Sequence, residues 1–325
     1  MSLVDLDQIR DAAERIRPWA VRTPLVPSPW PGLWLKPESL QPIGAFKIRG
    51  AITAVSRLDP VERARGLLAH SSGNHAQAVA YAARVFGVSA HVVIPDNAPQ
   101  RKIDATRALG AGVELVPVEQ RFTRPEELRL ATGQPMIPPF DHPDVIAGQG
   151  TVGLEIAEDF PSAPGRDGPT GRDVATVLVP VSGGGLISGV AVAIKALVPD
   201  ARVVGVEPEL AGDAAESFRL GRRTPWTAAD TARTVADGLR TFSVGELPWQ
   251  HISALVDDIV TVTEQEILDT TRRLALEARL LAEPSGAVPV AAYLHHADRL
   301  PPGPTVAVVS GGNIDPALLA RLVGG

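Results

Sequence analysis

The chain contains no cysteine. That removes disulfides, thiolate nucleophiles and cysteine-based zinc or iron–sulfur sites, although it assigns no compartment. Long apolar runs are also missing. The alanine- and valine-rich tract at 190–198 carries Lys195 and stops at Pro199, well short of the roughly 20 residues a membrane-spanning helix needs. The opening "MSLVDLDQIRDAAERIRPWA" is too acidic and too broken for a signal peptide. A soluble cytoplasmic protein with no membrane partner is the resulting expectation. Aromatic residues are sparse, and the formal charge of -6 comes from interspersed acids and bases. Without a long basic run, nucleic acid is not the expected partner. The seven histidines include adjacent His295 and His296, yet they form no H-E-x-x-H and no convincing zinc spacing. No G-x-S-x-G elbow is present to support a hydrolase triad.

What is present is a chain with 45 % hydrophobic residues, punctuated by thirty glycines and thirty prolines. Its length makes two domains the natural prior. Residues 5–17 place Leu6, Ile9, Ala13 and Ile16 at helical spacing, with Asp5 at the start. Thereafter β-prone runs alternate with alanine-rich helices. Strands are expected at 33–38, 66–71, 89–95 and 112–118, and helices at 47–58, 74–86 and 99–109. A second set has helices at 149–159 and 186–197 with strands at 174–181 and 201–208. It is followed by helices at 263–281, 286–298 and 315–322 and a strand at 305–310. Alternation of this kind predicts parallel sheets covered by helices. The polar stretch 158–173 reads as a surface loop, and 117–140 has room for only a short helix around 125–131.

Several short motifs carry chemical possibilities. In "KPESLQPIGAFKIRGA" (36–51), Lys47 lies among small and apolar residues at a helix start. A partly desolvated lysine loses preference for its charged form, which makes the amine a better nucleophile and base; an exposed first-turn lysine fits the same pattern. "HSSGNHAQAVA" (70–80) sets hydroxyls, a glycine and an amide at a strand-to-helix junction, suited to an anion or to simple helix capping. "VPVSGGGLISG" (179–189) is a glycine turn after an apolar strand, where main-chain amides and the next helix can converge on an anion. It lacks the lysine of a Walker A loop and the strict G-x-G-x-x-G spacing, so neither ATP nor NAD is indicated. "EPELAGD" (207–213) offers Glu207, Asp213 and the Ala211 carbonyl, oxygen donors that suit Mg²⁺ or Ca²⁺ but also occur in solvated loops. "AEPSGA" (282–287) and "VVSGGNID" (308–315) are further small-residue turns. Ser310, in the second, falls at the C-terminal end of a predicted strand, where doubly wound sheets place ligands.

Taken in order, these pieces, with "VIAGQGTVGLEI" (145–156) and "ADGL" (236–239), resemble the fold-type II pyridoxal-phosphate family, in particular its threonine/serine dehydratases and serine racemases. The resemblance spans 36–313 and implies an α/β, tryptophan synthase beta-like fold with two lobes, each a largely parallel sheet flanked by helices. The large cofactor-binding domain would comprise 1–50 and 140–325, and the small substrate-closing domain 51–139. Pyridoxal 5'-phosphate would be carried by Lys47 as a Schiff base. Phe46 would pack beside its ring, Asn74 would face its 3-hydroxyl, and Ser182, Gly183, Gly184, Gly185 and Leu186 would form the phosphate loop. Gly238 would lie across the ring, Glu283 would orient substrate or ring, and Ser310 would face the pyridine nitrogen. Ser71, Ser72, Gly73 and His75 match the substrate side, and Ser72 also matches the second, opposite-face catalytic group of the racemases. Glu207, Ala211 and Asp213 match a divalent-cation site.

The resemblance further implies a homodimer that takes a small β-hydroxy amino acid. The expected reaction is dehydration of L-threonine and/or L-serine to the 2-oxo acid and ammonia. An amino-acid racemase is the nearest alternative, and a ligand-binding relative that has lost catalysis is a third. Ile43 and Ala45 replace a threonine and a serine of the family pattern, and Pro138 replaces a histidine. Residues 118–137 form a shorter segment than usual, and these departures reshape the pocket enough to leave 3-hydroxyaspartate or phenylserine open as substrates. The chain ends soon after "SGGN", which implies no appended regulatory domain.

Overall fold

The computed structural model describes residues 3–71, 73–96, 98, 100–121, 123–161 and 173–324. Two sheets organise them. The first is six-stranded, in the order β1 (Val26–Pro27), β2 (Leu33–Pro37), β9 (Thr305–Val309), β6 (Thr176–Pro180), β7 (Arg202–Pro208), β8 (Asp258–Val262). All its pairs are parallel except β1–β2. The second is wholly parallel and three-stranded, β3 (Leu67–His70), β4 (Ala90–Pro95), β5 (Gly112–Val116). Strands β6 and β9 are buried at every position, the continuous apolar pattern of a parallel sheet covered on both faces.

Ligands of open parallel sheets gather where the strands end. In this chain β3 runs out into Ser71, Gly73 and Asn74, β6 into Ser182–Gly185, and β9 into Ser310–Asn313. The Lys47–Arg57 helix follows a turn after β2 and buries Ile48, Ala51, Ile52 and Val55, packing against the Pro143–Asp159 and Asn74–Phe86 helices.

A buried ion cluster holds that helix in place. Arg49 donates to both oxygens of Glu38 (2.7 and 2.8 Å), both of Glu155 (2.7 and 2.8 Å), Thr151 Oγ1 and the Val21 carbonyl. Lys36 Nζ reaches Glu155 at 2.6 Å and the Thr23 carbonyl. Two cations face two anions with no solvent exposure at Lys36, Glu38 or Arg49, the compensated arrangement that makes buried charge tolerable.

Most expected elements are present within a residue or two, with three differences of extent. The helix expected from 149 begins at Pro143, that expected to reach 281 ends at Leu276, and that expected to reach 298 ends at His295. Strand β8 and the Asp213–Leu220 and Glu246–Leu255 helices fall outside the sequence expectation. Residues 162–172, most of the expected surface loop, lie outside the described residues.

Candidate active site

Lys47 is the first residue of its helix, and its Nζ donates to the Pro139 carbonyl at 2.7 Å and lies 5.1 Å from the centroid of the Phe46 ring. The side chain is half-buried with no carboxylate bonded to it, and desolvation pushes the amine down to about 8. The reactive neutral form is thereby accessible near neutral pH. The alternative of an exposed first-turn lysine is excluded.

The turn before Lys47 is stitched to the turn after β9. Phe46 N donates to the Ser310 carbonyl at 3.0 Å, Gly312 N to the Gly44 carbonyl at 2.8 Å, and Ala45 bridges Gly311. Ser310 is therefore beside Lys47. Its side chain is 4 % exposed, and no hydrogen bond from the described residues engages its hydroxyl.

Asn74 opens the helix after β3, and its Nδ2 donates to Glu283 Oε1 at 2.6 Å. Glu283 is nearly inaccessible, and desolvation, with Asp237 adding to it, pushes its carboxyl up to about 7. Gly238 follows Asp237, and its amide donates to Ser285 Oγ at 2.8 Å, two residues from Glu283.

The glycine turn is built as a close-approach surface. A Cβ on Gly183 would sit 2.2 Å from Phe140 Cδ1, and one on Gly184, at φ +88°, would sit 2.8 Å from Pro248 Cβ. Gly185 begins a 13-residue helix, whose unpaired amides face the turn and favour a phosphate. Phe140, packed on Gly183 and Gly185, follows Pro139, which accepts from Lys47. Lysine and glycine turn thus share one wall. The side chain of Leu186 is packed in the core, so only its main chain can serve the turn.

Just beyond β3, the Ser71 hydroxyl accepts from Gly73 N at 3.2 Å. His75 is buried with Nε2 on the Ile137 carbonyl at 2.8 Å. Burial and the nearby Lys47 hold it down to about 3, so its ring is neutral and Nε2 carries the proton. That nitrogen is already committed within the protein. Ser72 lies outside the described residues.

Glu207 and Asp213 are wholly buried, which rules out the solvated-loop reading. Glu207 accepts from Ala214 N and Ala215 N, and Asp213 Oδ2 from Val244 N. Asp213 Oδ1 is buried with no hydrogen-bond partner. Desolvation raises both carboxyls, Glu207 further through the adjacent Asp213. An orphaned carboxylate oxygen beside a second buried acid fits a hard cation. Among the described residues no three His, Cys, Asp or Glu side chains form a ligand set, so such a site needs main-chain oxygen as well.

Sequence reasoning overlooked Asn313, Asp237 and Lys102. Asn313 Nδ2 donates to Asn74 Oδ1 at 2.8 Å and to the Ile43 carbonyl at 2.9 Å, and Lys102 pairs with Asp237. Asn313 stands in the quoted "SGGN" and Asp237 in "ADGL", but their partners are distant in the chain.

A desolvated lysine, a glycine turn before a helix and a buried serine at the ends of parallel strands fit an enzyme with a phosphorylated aldehyde cofactor. Comparison with known proteins is specific. Residues 16–311 match the family described as pyridoxal-phosphate dependent enzyme. The L-threonine ammonia-lyase of Thermotoga maritima is 41 % identical, over 99 % of this chain and 78 % of its own length. The crystal structure of a threonine deaminase from T.th. superposes with a TM-score of 0.87 at 44 % identity, covering 96 % of this chain and 99 % of that one. Maize serine racemase superposes at 0.89 and 37 % identity, covering 98 % and 97 %. The chain belongs to the pyridoxal-phosphate-dependent enzyme family, in its fold-type II branch of dehydratases and racemases. Among the described residues no helix is long and apolar enough to cross a membrane.

Proposed function

We propose that this chain is an ammonia-lyase that converts L-threonine and/or L-serine, or a related β-hydroxy amino acid, to the 2-oxo acid and ammonia. The observation that carries the reading is Lys47, an amine held near 8 whose neighbour Phe46 donates its main-chain N–H to the Ser310 carbonyl, which sets Ser310 beside it. Pyridoxal phosphate, when bound, supplies the electron sink for the broken α-bond.

The residues divide the work. Lys47 would hold the cofactor covalently, and its amine would be the base for the α-proton. Gly183, Gly184, Gly185, the Ser182 main chain and the helix N-terminus hold the phosphate. Asn74 would serve the 3-hydroxyl side, Phe46 and Gly238 the ring faces, and Glu283 the orientation of substrate or ring. Ser310 would serve the ring nitrogen without a full opposing charge, which stabilises a protonated ring less than a carboxylate would. Prompt loss of the β-hydroxyl as water, with a proton taken up from solvent, would be favoured over a long-lived carbanion, and hydrolysis of the released dehydro amino acid would restore that water and give the 2-oxo acid and ammonia. Ser71 and Gly73, with Ser72, receive the substrate carboxylate. Glu207, Asp213 and the Ala211 carbonyl would hold Mg²⁺ or Ca²⁺ in a structural or activating role. We further propose the division into a large domain (1–50 and 140–325) and a small one (51–139), and a homodimer.

The similarity to maize serine racemase supports racemisation as the second reading; it needs an acid or base opposite Lys47, the task assigned to Ser72. The deciding assay incubates the holoenzyme with L- and D-serine, L-threonine, 3-hydroxyaspartate and phenylserine, following oxo acid and ammonia together with chirality. Oxo acid from an L-substrate, lost in Lys47→Ala, is expected. Accumulation of the opposite enantiomer without oxo acid would favour the racemase, and unchanged substrate without α-proton exchange would mean that catalysis has been lost.

A further inference from the structure

An asparagine amide can face either way, and its orientation is set by what it meets. Asn313 meets a group that cannot adapt. Its Nδ2 lies 2.9 Å from the main-chain carbonyl of Ile43, which only accepts, so the NH₂ must point there. The second Nδ2 proton then goes to Asn74, 2.8 Å away, which obliges Asn74 to present Oδ1. The NH₂ of Asn74 is consequently turned toward Glu283 Oε1 at 2.6 Å. Polarity runs one way along Ile43 C=O, Asn313, Asn74 and Glu283, from an anchor that cannot flip.

The setting of Asn313 is tight. Gly44 adopts φ +71°, and a Cβ there would lie 2.7 Å from Asn313 Oδ1. One on Gly311 would lie 2.3 Å from Glu283 Oε1 and 3.2 Å from Asn74 Nδ2. Bare glycines on both sides let the three polar side chains approach, which is their role where a Cβ has no room.

We propose that Asn313 is a positioning residue that fixes the amide polarity of Asn74, so that Asn74 meets the cofactor ring as a hydrogen-bond donor. The inference rests on the proposed assignment of Asn74 to the 3-hydroxyl side of the ring. An oxygen there needs a donor, and a freely flipping amide would present its carbonyl part of the time. Asn313 touches neither substrate nor cofactor and acts through Asn74.

Asn313→Asp keeps the shape and removes both donors. Cofactor-stripped protein titrated with pyridoxal phosphate should show about tenfold weaker binding for this variant, the worth of one hydrogen bond in a desolvated site. The absorption band of the bound cofactor should also shift, a change that a purely structural strut would not produce. Asn74→Ala should weaken binding at least as much, and the double variant should be no worse than Asn74→Ala alone. Asn313→Ala, which frees the Asn74 amide without adding charge, serves as the second variant. Unchanged affinity and band in both Asn313 variants, additive losses in the double variant, or failure of both to fold would overturn the proposal. If Asn74→Ala itself binds the cofactor normally, the assignment of Asn74 is wrong.

Discussion

The state of Lys47 before the cofactor arrives can be tested by pH. Burial disfavours the charged form of a base, so the amine is held to about 8, against 10.5 for an ordinary lysine. At pH 7.5 about a quarter of such amines are neutral, compared with about one in a thousand at an ordinary lysine. Part of that gain is lost because a less basic amine is a weaker nucleophile, so the shape of the profile is more diagnostic than its height. Stopped-flow mixing of cofactor-stripped protein with pyridoxal phosphate between pH 6.5 and 10 should give a capture rate that climbs about tenfold per pH unit and then flattens near 8. The same displacement carries a stability cost. Below pH 8 the folded and unfolded states are both charged and the whole penalty of burying the ammonium applies. Between 8 and 10.5 the folded amine is neutral while the unfolded one still binds a proton, so stability rises, by at most about 3 kcal/mol. Relative to Lys47→Met, the stripped protein should thus gain melting temperature across that window. A capture rate that keeps climbing to pH 10, or equal capture by Lys47→Arg, would refute the reasoning.

Three other outcomes are expected. Chelator-treated protein should gain about 4 °C in Tm with Mg²⁺ or Ca²⁺ at a hundredfold over its Kd, whereas Asp213→Asn, lacking the orphaned oxygen, should show no response in the same thermal scan. Arg49→Met should cost about 3–5 kcal/mol in denaturant unfolding, because Glu38 and Glu155 stay buried with only Lys36 between them; Arg49→Lys should recover little, since an ammonium cannot reproduce the fork. Arg279 is the one non-glycine described with positive φ, at 56°, so Arg279→Gly should raise stability in urea unfolding by about 0.5–1 kcal/mol without changing turnover.

The sequence made the strand–turn–helix units legible because their turns carry their own chemistry: three glycines before a helix, or a lysine among small residues. It under-read only the start of the Pro143–Asp159 helix, where Gly148 looks like a breaker, as Gly150 and Gly153 do further along. In the fold they are contact points: Cβ atoms there would come within 2.6 Å of the Arg49 carbonyl, 2.5 Å of Ile9 Cδ1 and 2.8 Å of the Val190 carbonyl. Pro143 looks like a stop but occupies the first turn, where its missing N–H costs nothing. Pro248 misleads similarly in the first turn of the Glu246–Leu255 helix. Strand β8 is only partly buried and carries Asp258 and Thr261, so the apolar run that exposes β6 is absent. The site was readable as a set of turns, but not as a network. Asn313 and Asn74 are 239 residues apart, Lys102 and Asp237 135, and no local pattern encodes such pairs. Nor did spacing reveal that Glu207 and Asp213 are buried, the fact on which the cation reading turns.

The Lys102–Asp237 pair links the Gln100–Ala108 helix, beside the small sheet, to the turn bearing Gly238, and the neighbouring Arg101 reaches the Ile314 carbonyl just after Asn313. Both contacts tie the small-sheet side to turns that flank Glu283. If the pair did no more than tie these elements together, breaking it from either end would have the same effect. The charges say otherwise. Asp237 raises the Glu283 carboxyl and Lys102 lowers it, on top of the larger effect of burial. Asp237→Asn should therefore move the acidic limb of the kcat/KM profile downward in pH and Lys102→Met should move it upward, although each removes the same ion pair. Limbs moving in the same direction would show that the pair acts on Glu283 only by tying these elements together, and limbs that stay still would remove Glu283 from the groups that govern turnover.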